Sequence, residues 1–395
     1  MNIFKRKIMP ELREHLKQKQ VTVITGIRRS GKTTLVMELL ESVNSNNKLY
    51  IDLEKMSNRM LFNEDNYENI INSLISMYSL NIHSKLFLAI DEIQYVRNIP
   101  SIVKYLYDHY NIKFILTGSS TYYLKNLFAE SLAGRKKIFE LYTLDFGEFL
   151  EFKGFDMKPA DIYKKNFNRF VYEELKDLYS EFIRFGGLPE VVLSTDVKQK
   201  TDLITDILDS YIKIDIKNLV DFENFAAVYK ILKLLGNRTG NKLDITKISN
   251  SAGFSRTTVS NYVELFEGTY LIKKLPVLSK SPDKEISKTP KIYFQDNGFL
   301  NILAEVSGGV MFENSLFNQL KHVGNLNYYA LKTGNEIDFV LDKKYSFEVK
   351  EYCGDFDLKK LQRLSSNLKI KNSRLIFRYP SDYLNENYLW GGDIV

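Results

Sequence analysis

The stretch that most narrows what this chain can fold into is "VTVIT" (Val21 to Thr25) running straight into "GIRRSGKTTLVMELLES". Five β-branched residues in a row predict a short buried parallel strand. Gly26, Gly31, Lys32 and Thr33 then fall at the spacing G-x-x-x-x-G-K-[ST]. Glycines at these positions let a loop wrap its backbone N–H groups around phosphate oxygens. In such a loop the lysine reaches the β- and γ-phosphates and the threonine hydroxyl ligates Mg²⁺. Leu35, Val36, Leu39 and Leu40 recur at helical spacing, so the loop opens a helix whose N-terminus faces the anion. The candidate nucleotide contacts are Gly26, Arg28, Arg29, Ser30, Gly31, Lys32, Thr33 and Thr34.

A nucleotide site of this kind needs a carboxylate on a second strand. "KLFLAIDEIQ" supplies an apolar strand ending in Asp91 and Glu92. Asp91 is placed to hold Mg²⁺ through water, and Glu92 to polarise the attacking water. Capping of the next helix is the plainer use of the same pair. "KLYIDL" (Lys48 to Leu53) and "KFILTGSS" predict two more strands, the latter ending in Thr117, Ser119 and Ser120, which stand where a γ-phosphate would be sensed. With helical patterns between all four, the expectation is an α/β fold with a doubly wound parallel sheet. "NKLD" (Asn241 to Asp244) mimics a guanine-reading motif but follows no buried strand, so ATP is the expected nucleotide. Arg135, in "SLAGRKKIFEL", is either an arginine that reaches a γ-phosphate of its own or a neighbouring subunit, or an ordinary salt-bridging residue.

Composition bounds the rest. At 395 residues, two to four domains are expected. The longest apolar runs, such as Leu86 to Ile90, fall far short of a membrane span, so no membrane partner is expected. The N-terminus has no signal-peptide pattern, and the single cysteine, Cys353, is what a reducing cytoplasm predicts. A net charge of +6 is compatible with an anionic polymer without requiring one.

The middle of the chain reads as helical from Phe167 to Leu235, broken at "FGGLPE". "DITKISNSAGFSRTTVSNYVELFEGTYLIKKLPVL" then gives a short helix, a turn at Gly253, a second helix and a wing strand. On DNA, Arg256, Thr257, Thr258 and Asn261 would face the groove, with Lys273 and Lys274 near phosphates. The same arrangement also serves as a packing module. Near the C-terminus, "GGVMFENSLFNQLKHV" reads as an amphipathic helix carrying Glu313. "NEIDFVLDKKYSFEVK" follows as two strands around a turn at Asp342, Lys343 and Lys344. Strand geometry sends Glu348 and Lys350 to one face. A helix and a meander carrying Glu313, Asp338 and Glu348-x-Lys350 in that order describe a metal-dependent nuclease site, with Glu313, Asp338 and Glu348 as Mg²⁺ ligands and Lys350 orienting water. A charged pair on an exposed strand face is the bland alternative.

"GIRRSGKTTL", "LFLAIDEIQ", "FILTGSS", "SLAGRKKIFEL", "FGGLPEVV", "KTPKIYFQDNGFL" and "FENSLF…EIDFVL…FEVK" occur here in the order seen in a prokaryotic ATPase family. The chain resembles the archaeal and bacterial AAA-type P-loop ATPases with a C-terminal DUF4143 region. The resemblance implies a P-loop ATPase core over 1–165, a helical lid over 166–235, a winged helix over 236–295 and a restriction-endonuclease-like domain over 296–395. It also implies ATP and Mg²⁺ as cofactors, with Asp338, Glu348 and Lys350 matching the PD-(D/E)XK pattern and Arg135 in an "LxGR" stretch. Three functions follow from it: an ATPase controlling a DNA-directed nuclease, a nucleotide-switched scaffold with a silent nuclease fold, or a winged-helix regulator. DNA is the expected polymer partner, and a homo-oligomer or protein partner is compatible with all three.

Overall fold

The computed structural model describes residues 5–118, 132–155, 166–216, 225–279, 281, 283, 285, 288–381 and 384–394. The chain divides into two compact units, Met1–Tyr142 with Gly268–Tyr270, and Thr143–Glu267 with Leu271–Val395. The first unit thus ends earlier than residue 165. The lid, wing and C-terminal segments expected separately fall in the second, apart from Gly268–Tyr270 of the wing segment.

The first unit is built on five parallel strands: β1 (Val21–Thr25), β2 (Lys48–Asp52), β3 (Leu86–Asp91), β4 (Ile112–Gly118) and β5 (Lys136–Glu140), in the order β2-β3-β4-β1-β5. The four strands expected from the apolar runs are present. β5 is the addition, pairing along the free edge of β1 from Val21↔Lys136 to Thr25↔Glu140. Because side chains alternate along a strand, each strand feeds two cores. Val21, Val23, Leu88, Ile90, Phe114 and Leu116 join Ile71, Leu74, Val103 and Leu106 from the helices Tyr67–Tyr78 and Ile99–His109. On the opposite face Ile24, Ala89 and Ile115 meet Met9, Leu12, Leu35 and Leu39 from helices Met9–His15 and Lys32–Glu41. Parallel pairing brings the carboxyl ends of β1, β3 and β4 to one edge, where ligands of such sheets bind.

In the second unit, helices Arg169–Phe185, Pro189–Leu193 and Val197–Ser210 follow the expected helical pattern, with the expected break at Gly186, whose φ is 74°. Tyr211 and Asp215 lie in a following π-helical turn, and both are buried. Helices Ile245–Ala252 and Arg256–Gly268 precede an antiparallel pair, β6 (Ile272–Leu275) and β7 (Lys291–Phe294). Asp244 caps the first of these helices by accepting the Lys247 amide at 3.0 Å, which accounts for the acid in "NKLD" without a guanine.

The C-terminal sheet holds β8 (Leu326–Ala330), β9 (Glu336–Leu341), β10 (Tyr345–Lys350), β11 (Asn372–Phe377) and β12 (Tyr388–Trp390), in the order β12-β11-β10-β9-β8. β8, β9 and β10 form an antiparallel meander, and helix Asp355–Ser366 carries the chain over to β11, parallel to β10. The β9–β10 turn has Asp342 and Lys343 both at positive φ, 51° and 58°, the twist that a two-residue hairpin needs. Helix Gly308–Leu320 departs from the amphipathic expectation: Asn314, Ser315, Asn318 and Gln319 are buried along with its apolar residues. The Asn314 side chain accepts from the Phe294 amide at 2.9 Å and donates to the Phe294 carbonyl at 3.0 Å, so its amide completes the backbone pairing of β7.

One buried charge in the first unit has a consequence for pH. The Lys113 side chain, on β4, is 1% exposed and donates to the carbonyls of His15 and Gln20. Burial pushes its pKa down from 10.5 to about 7. Between those two values the unfolded chain holds a proton that the folded chain has released, so stability rises with pH across that window and the contribution is absent below it. Lys113→Met should flatten that rise. Thermal unfolding followed from pH 7 to pH 10 checks it, and a wild-type profile already flat would refute the assignment.

Candidate functional site

β1 ends at Thr25 and the chain turns through Gly26, where an added Cβ would lie 2.1 Å from the Leu141 carbonyl oxygen. Only glycine fits there. Gly31, at φ 93°, takes the left-handed conformation that opens helix Lys32–Glu41, and Arg29 also has positive φ, 63°. Lys32 is 4% exposed, and its ammonium donates to the carbonyls of Gly26 at 3.0 Å and Ile27 at 3.1 Å. The lysine is thus folded over the mouth of its own loop, held by acceptors weaker than a phosphate oxygen. Arg6, which nothing local in the sequence marks, braces the loop by donating to the Ser30 carbonyl at 2.9 Å and the Tyr142 carbonyl at 2.7 Å. Arg28 pairs with Glu54 at 3.6 Å, and Thr34 is exposed on the helix beside Thr33.

The loop meets β3 at Asp91. Its carboxylate, 2% exposed, accepts from the Thr33 hydroxyl at 2.6 Å, from the Tyr50 hydroxyl at 2.7 Å and from the Thr117 hydroxyl. The Thr117 oxygen in turn accepts from the Glu92 amide at 3.0 Å. Glu92 sits at φ 55°, and its carboxylate accepts a hydrogen bond from Gln94. Burial, then the hydrogen bond to Asp91, push the Tyr50 phenol well above its ordinary value, so it remains a donor. An oxygen-only pair of Thr33 and Asp91 within hydrogen-bonding distance fits a hard Mg²⁺ ion, which takes a hydroxyl and a carboxylate together with phosphate oxygens. Tyr50 was not among the candidates. Its signal, a tyrosine within a predicted strand, is indistinguishable from core.

Two candidates stand apart. Ser119 lies outside the described residues, as does Ser120. Arg135 is at the other end of the sheet: its carbonyl accepts from the Val21 amide, and its guanidinium pairs with Asp108 at 3.3 Å. The length of β1, roughly 13 Å by strand rise, separates it from the loop. A contact from Arg135 to a phosphate on its own loop is therefore corrected to a salt bridge.

In the second unit β9 and β10 bring the C-terminal candidates together. The Asp338 carboxylate accepts from the Val349 amide at 2.9 Å. Glu348, 4% exposed, pairs with Lys350 at 3.0 Å and Lys360 at 3.6 Å. Its Oε2 is buried with no hydrogen-bond partner among the described residues. Burial and then the charge of Asp338 push the Glu348 carboxyl up, against the pull of Lys350. Glu313, from the preceding helix, accepts from the Tyr293 hydroxyl at 2.6 Å. Burial, then Asp338, push its carboxyl up to about 7, while Lys291 opposes them.

Lys291, at the start of β7, is the residue that sequence reading missed. Its ammonium stands 2.9 Å from Glu336, 3.7 Å from Asp338 and 3.8 Å from Glu313. The orphaned Glu348 oxygen suits a cation. However, among the described residues no group of three or more His, Cys, Asp or Glu side chains is arranged to hold a metal ion. As they stand, these carboxylates fit an ammonium rather than a divalent metal.

Exposed on helix Arg256–Gly268 are Arg256, Thr257 and Asn261, with Lys273 exposed on β6. Lys274 is instead tied to Glu264 at 2.5 Å and Glu267 at 3.0 Å.

Residues 18–150 match the model of an AAA domain, and residues 176–309 match a domain of unknown function, DUF8612, where the resemblance had implied DUF4143. An uncharacterized protein of Methanocaldococcus jannaschii, MJ1544, is 31% identical over 374 residues, 90% of this chain and 81% of its own length. An uncharacterized protein of Haemophilus influenzae is 26% identical over 361 residues, 85% of each chain. In structure the chain is similar to the Walker-type ATPase PABY2304 of Pyrococcus abyssi, with a TM-score of 0.51 at 15% identity, covering 76% of this chain and 96% of that one. The domain match and the structural likeness agree on a P-loop ATPase fold. Among the described residues no helix is long and apolar enough to cross a membrane.

The Asp91 cluster yields a graded expectation. Tyr50→Phe keeps the ring and removes one donor to a charged acceptor, which should cost about 2 kcal/mol of stability. Thr117→Val should cost more, because it also strips the Glu92 amide of its acceptor. Urea unfolding of the two variants beside the wild type checks the order, and equal midpoints for all three would reject the cluster as a stabilising unit.

Proposed function

The chain belongs to the same family as the M. jannaschii protein MJ1544, and from that premise we propose that it is an ATP-binding and ATP-hydrolysing protein. The observation that carries this reading is the 2.6 Å contact between Thr33, on the helix that follows the glycine loop, and Asp91, at the end of β3. In this proposal the backbone of Gly26 to Gly31 wraps the phosphates. Lys32 leaves the Gly26 and Ile27 carbonyls to reach the β- and γ-oxygens, and Thr33 and Asp91 hold Mg²⁺. When bound, the ion offsets charge on the phosphates. Glu92, with its backbone amide fixed on Thr117, takes up the attacking water once its carboxylate parts from Gln94. Thr117 thus joins the Asp91 carboxylate to the backbone amide of Glu92.

A second reading concerns DNA. The meander β8–β10 behind helix Gly308–Leu320, with Asp338 beside Glu348 and Lys350, supports a restriction-endonuclease-like domain directed to DNA. The specific observation in its favour is the buried Glu348 oxygen, which has no hydrogen-bond partner among the described residues. Helices Ile245–Ala252 and Arg256–Gly268 with β6 and β7 support a winged helix, whose exposed Arg256, Thr257, Asn261 and Lys273 would meet the duplex. The nucleotide cycle would then govern a DNA-facing unit.

Lys32→Ala should abolish ATP binding measured by calorimetry. Glu92→Gln should keep binding and lose at least about 100-fold in turnover, the range expected for a general base. Turnover at the wild-type rate in Glu92→Gln would remove that residue from the reaction. For the second unit, DNA cleavage in Mg²⁺ or Mn²⁺ should vanish in Lys350→Ala. No cleavage by the wild type, with ATPase activity intact, would leave a nucleotide-switched scaffold.

A further inference from the structure

The acid pocket of the second unit already contains a cation. Glu336 and Asp338 lie two apart on β9 and share a face, and Glu313 joins them from helix Gly308–Leu320. Lys291 enters from β7, 2% exposed, with its ammonium 5.6 Å from the centre of the Tyr328 ring. Only the contact to Glu336, at 2.9 Å, is tight; those to Asp338 and Glu313 are 3.7 and 3.8 Å. Mg²⁺ requires its oxygens at about 2.0–2.1 Å, so carboxylates spread around an ammonium are too far apart to hold it. Three acidic side chains thus surround one lysine, and Glu348, beside Asp338, keeps a buried oxygen with no hydrogen-bond partner among the described residues.

We infer that Lys291 is the resident counter-cation of the pocket formed by Glu313, Glu336 and Asp338, and that a divalent cation enters it only in exchange for the Lys291 ammonium. The inference rests on the nuclease-like reading of this domain and adds its control. A lysine suits the role because its charge is a compact ammonium on a flexible four-carbon stem, which can withdraw without leaving a rigid fork behind. Removing it leaves buried Asp338, together with the half-buried Glu313 and Glu336, without that cation. Burial draws the lysine toward its neutral form, but Asp338, Glu313 and Glu336 together hold it charged, so exchange with a metal moves an ammonium rather than a neutral amine.

Mn²⁺ binding to the full-length, nucleotide-free chain, followed by electron paramagnetic resonance, tests this apart from any DNA cleavage. Lys291→Met should bind one Mn²⁺ about 10-fold or more tightly than the wild type, because an uncompensated acid pocket demands a cation. Lys291→Met/Asp338→Asn should lose that gain. Lys291→Met that unfolds alone but folds when Mn²⁺ is added would also support the exchange. Lys291→Met/Glu336→Gln, which removes one charge of each sign, covers the case in which the single variant does not fold, and it too must bind more tightly than wild type. Folded variants with no gain overturn the inference, as does failure of both to fold with Mn²⁺ present. Wild-type binding as tight as in the variants, abolished by Asp338→Asn, also overturns it. Tight Mn²⁺ binding by Lys291→Met, with no DNA cleavage by either the wild type or the variant, would sink the nuclease reading and leave the exchange standing.

Discussion

The first unit depends on one carboxylate. Asp91 is buried at the carboxyl end of β3, and a buried charge is costly unless it is fully hydrogen-bonded. Its three hydroxyl donors come from different parts of the sheet edge: Tyr50 from β2, Thr117 from β4 and Thr33 from the helix after the loop. Satisfying the charge therefore ties two neighbouring strand ends and the glycine loop to the same atom pair. Parallel pairing fixes which residues can meet there, since Asp52↔Asp91 and Ile90↔Leu116 set the register on either side. A one-residue slip would turn Thr117 or Tyr50 to the other face. The network also keeps the nucleotide side of the fold assembled before any ligand arrives.

How much of this was readable follows from the range of each interaction. β1 to β4 carry apolar runs, and the glycine loop has fixed spacing, so all were legible locally. The β9–β10 turn was legible too, because Asp342 and Lys343 separate two strands of alternating pattern. β5 was missed because "KKIFE" is a short edge strand with two lysines, whose half-exposed pattern lacks the apolar run of a central strand. Arg6, Tyr50 and Lys291 were missed for a different reason. Each works through a partner tens of residues or more away, Ser30 for Arg6, Asp91 for Tyr50 and Glu336 for Lys291, and no window of the chain contains both members. Arg135 shows the converse: proximity in sequence to a nucleotide-sensing strand said nothing about which end of the sheet it would occupy.

Helix Gly308–Leu320 shows why a period can mislead. Its apolar residues recur helically, which suggested a wet opposite face. That face instead supplies the amides of Asn314 and Asn318 to the backbone of Phe294 at the end of β7. A two-stranded sheet has edges whose carbonyls and amides need partners, and carboxamides satisfy both kinds at once. Asn297 adds a second layer, donating to the carbonyls of Ile183 and Met311 and accepting from Asn314. Such residues look like surface in a sequence and act as core once every donor has an acceptor.

The two units bury carboxylates by different chemistry, and the difference bears on what each can bind. Around Asp91 the donors among the described residues are neutral hydroxyls, which hydrogen-bond its negative charge without cancelling it, and an incoming cation meets that charge in exchange for shifting one hydroxyl. Around Asp338 the nearest cationic donor is an ammonium, which cancels charge as well as bonding to it. An incoming cation must there displace a charge equal in sign to its own. Thr33 can stay in the coordination sphere as a ligand when the ion arrives; Lys291 has no lone pair to offer while charged and must leave. Identical side chains thus become an open site in one unit and an occupied one in the other, through the charge of a single neighbour.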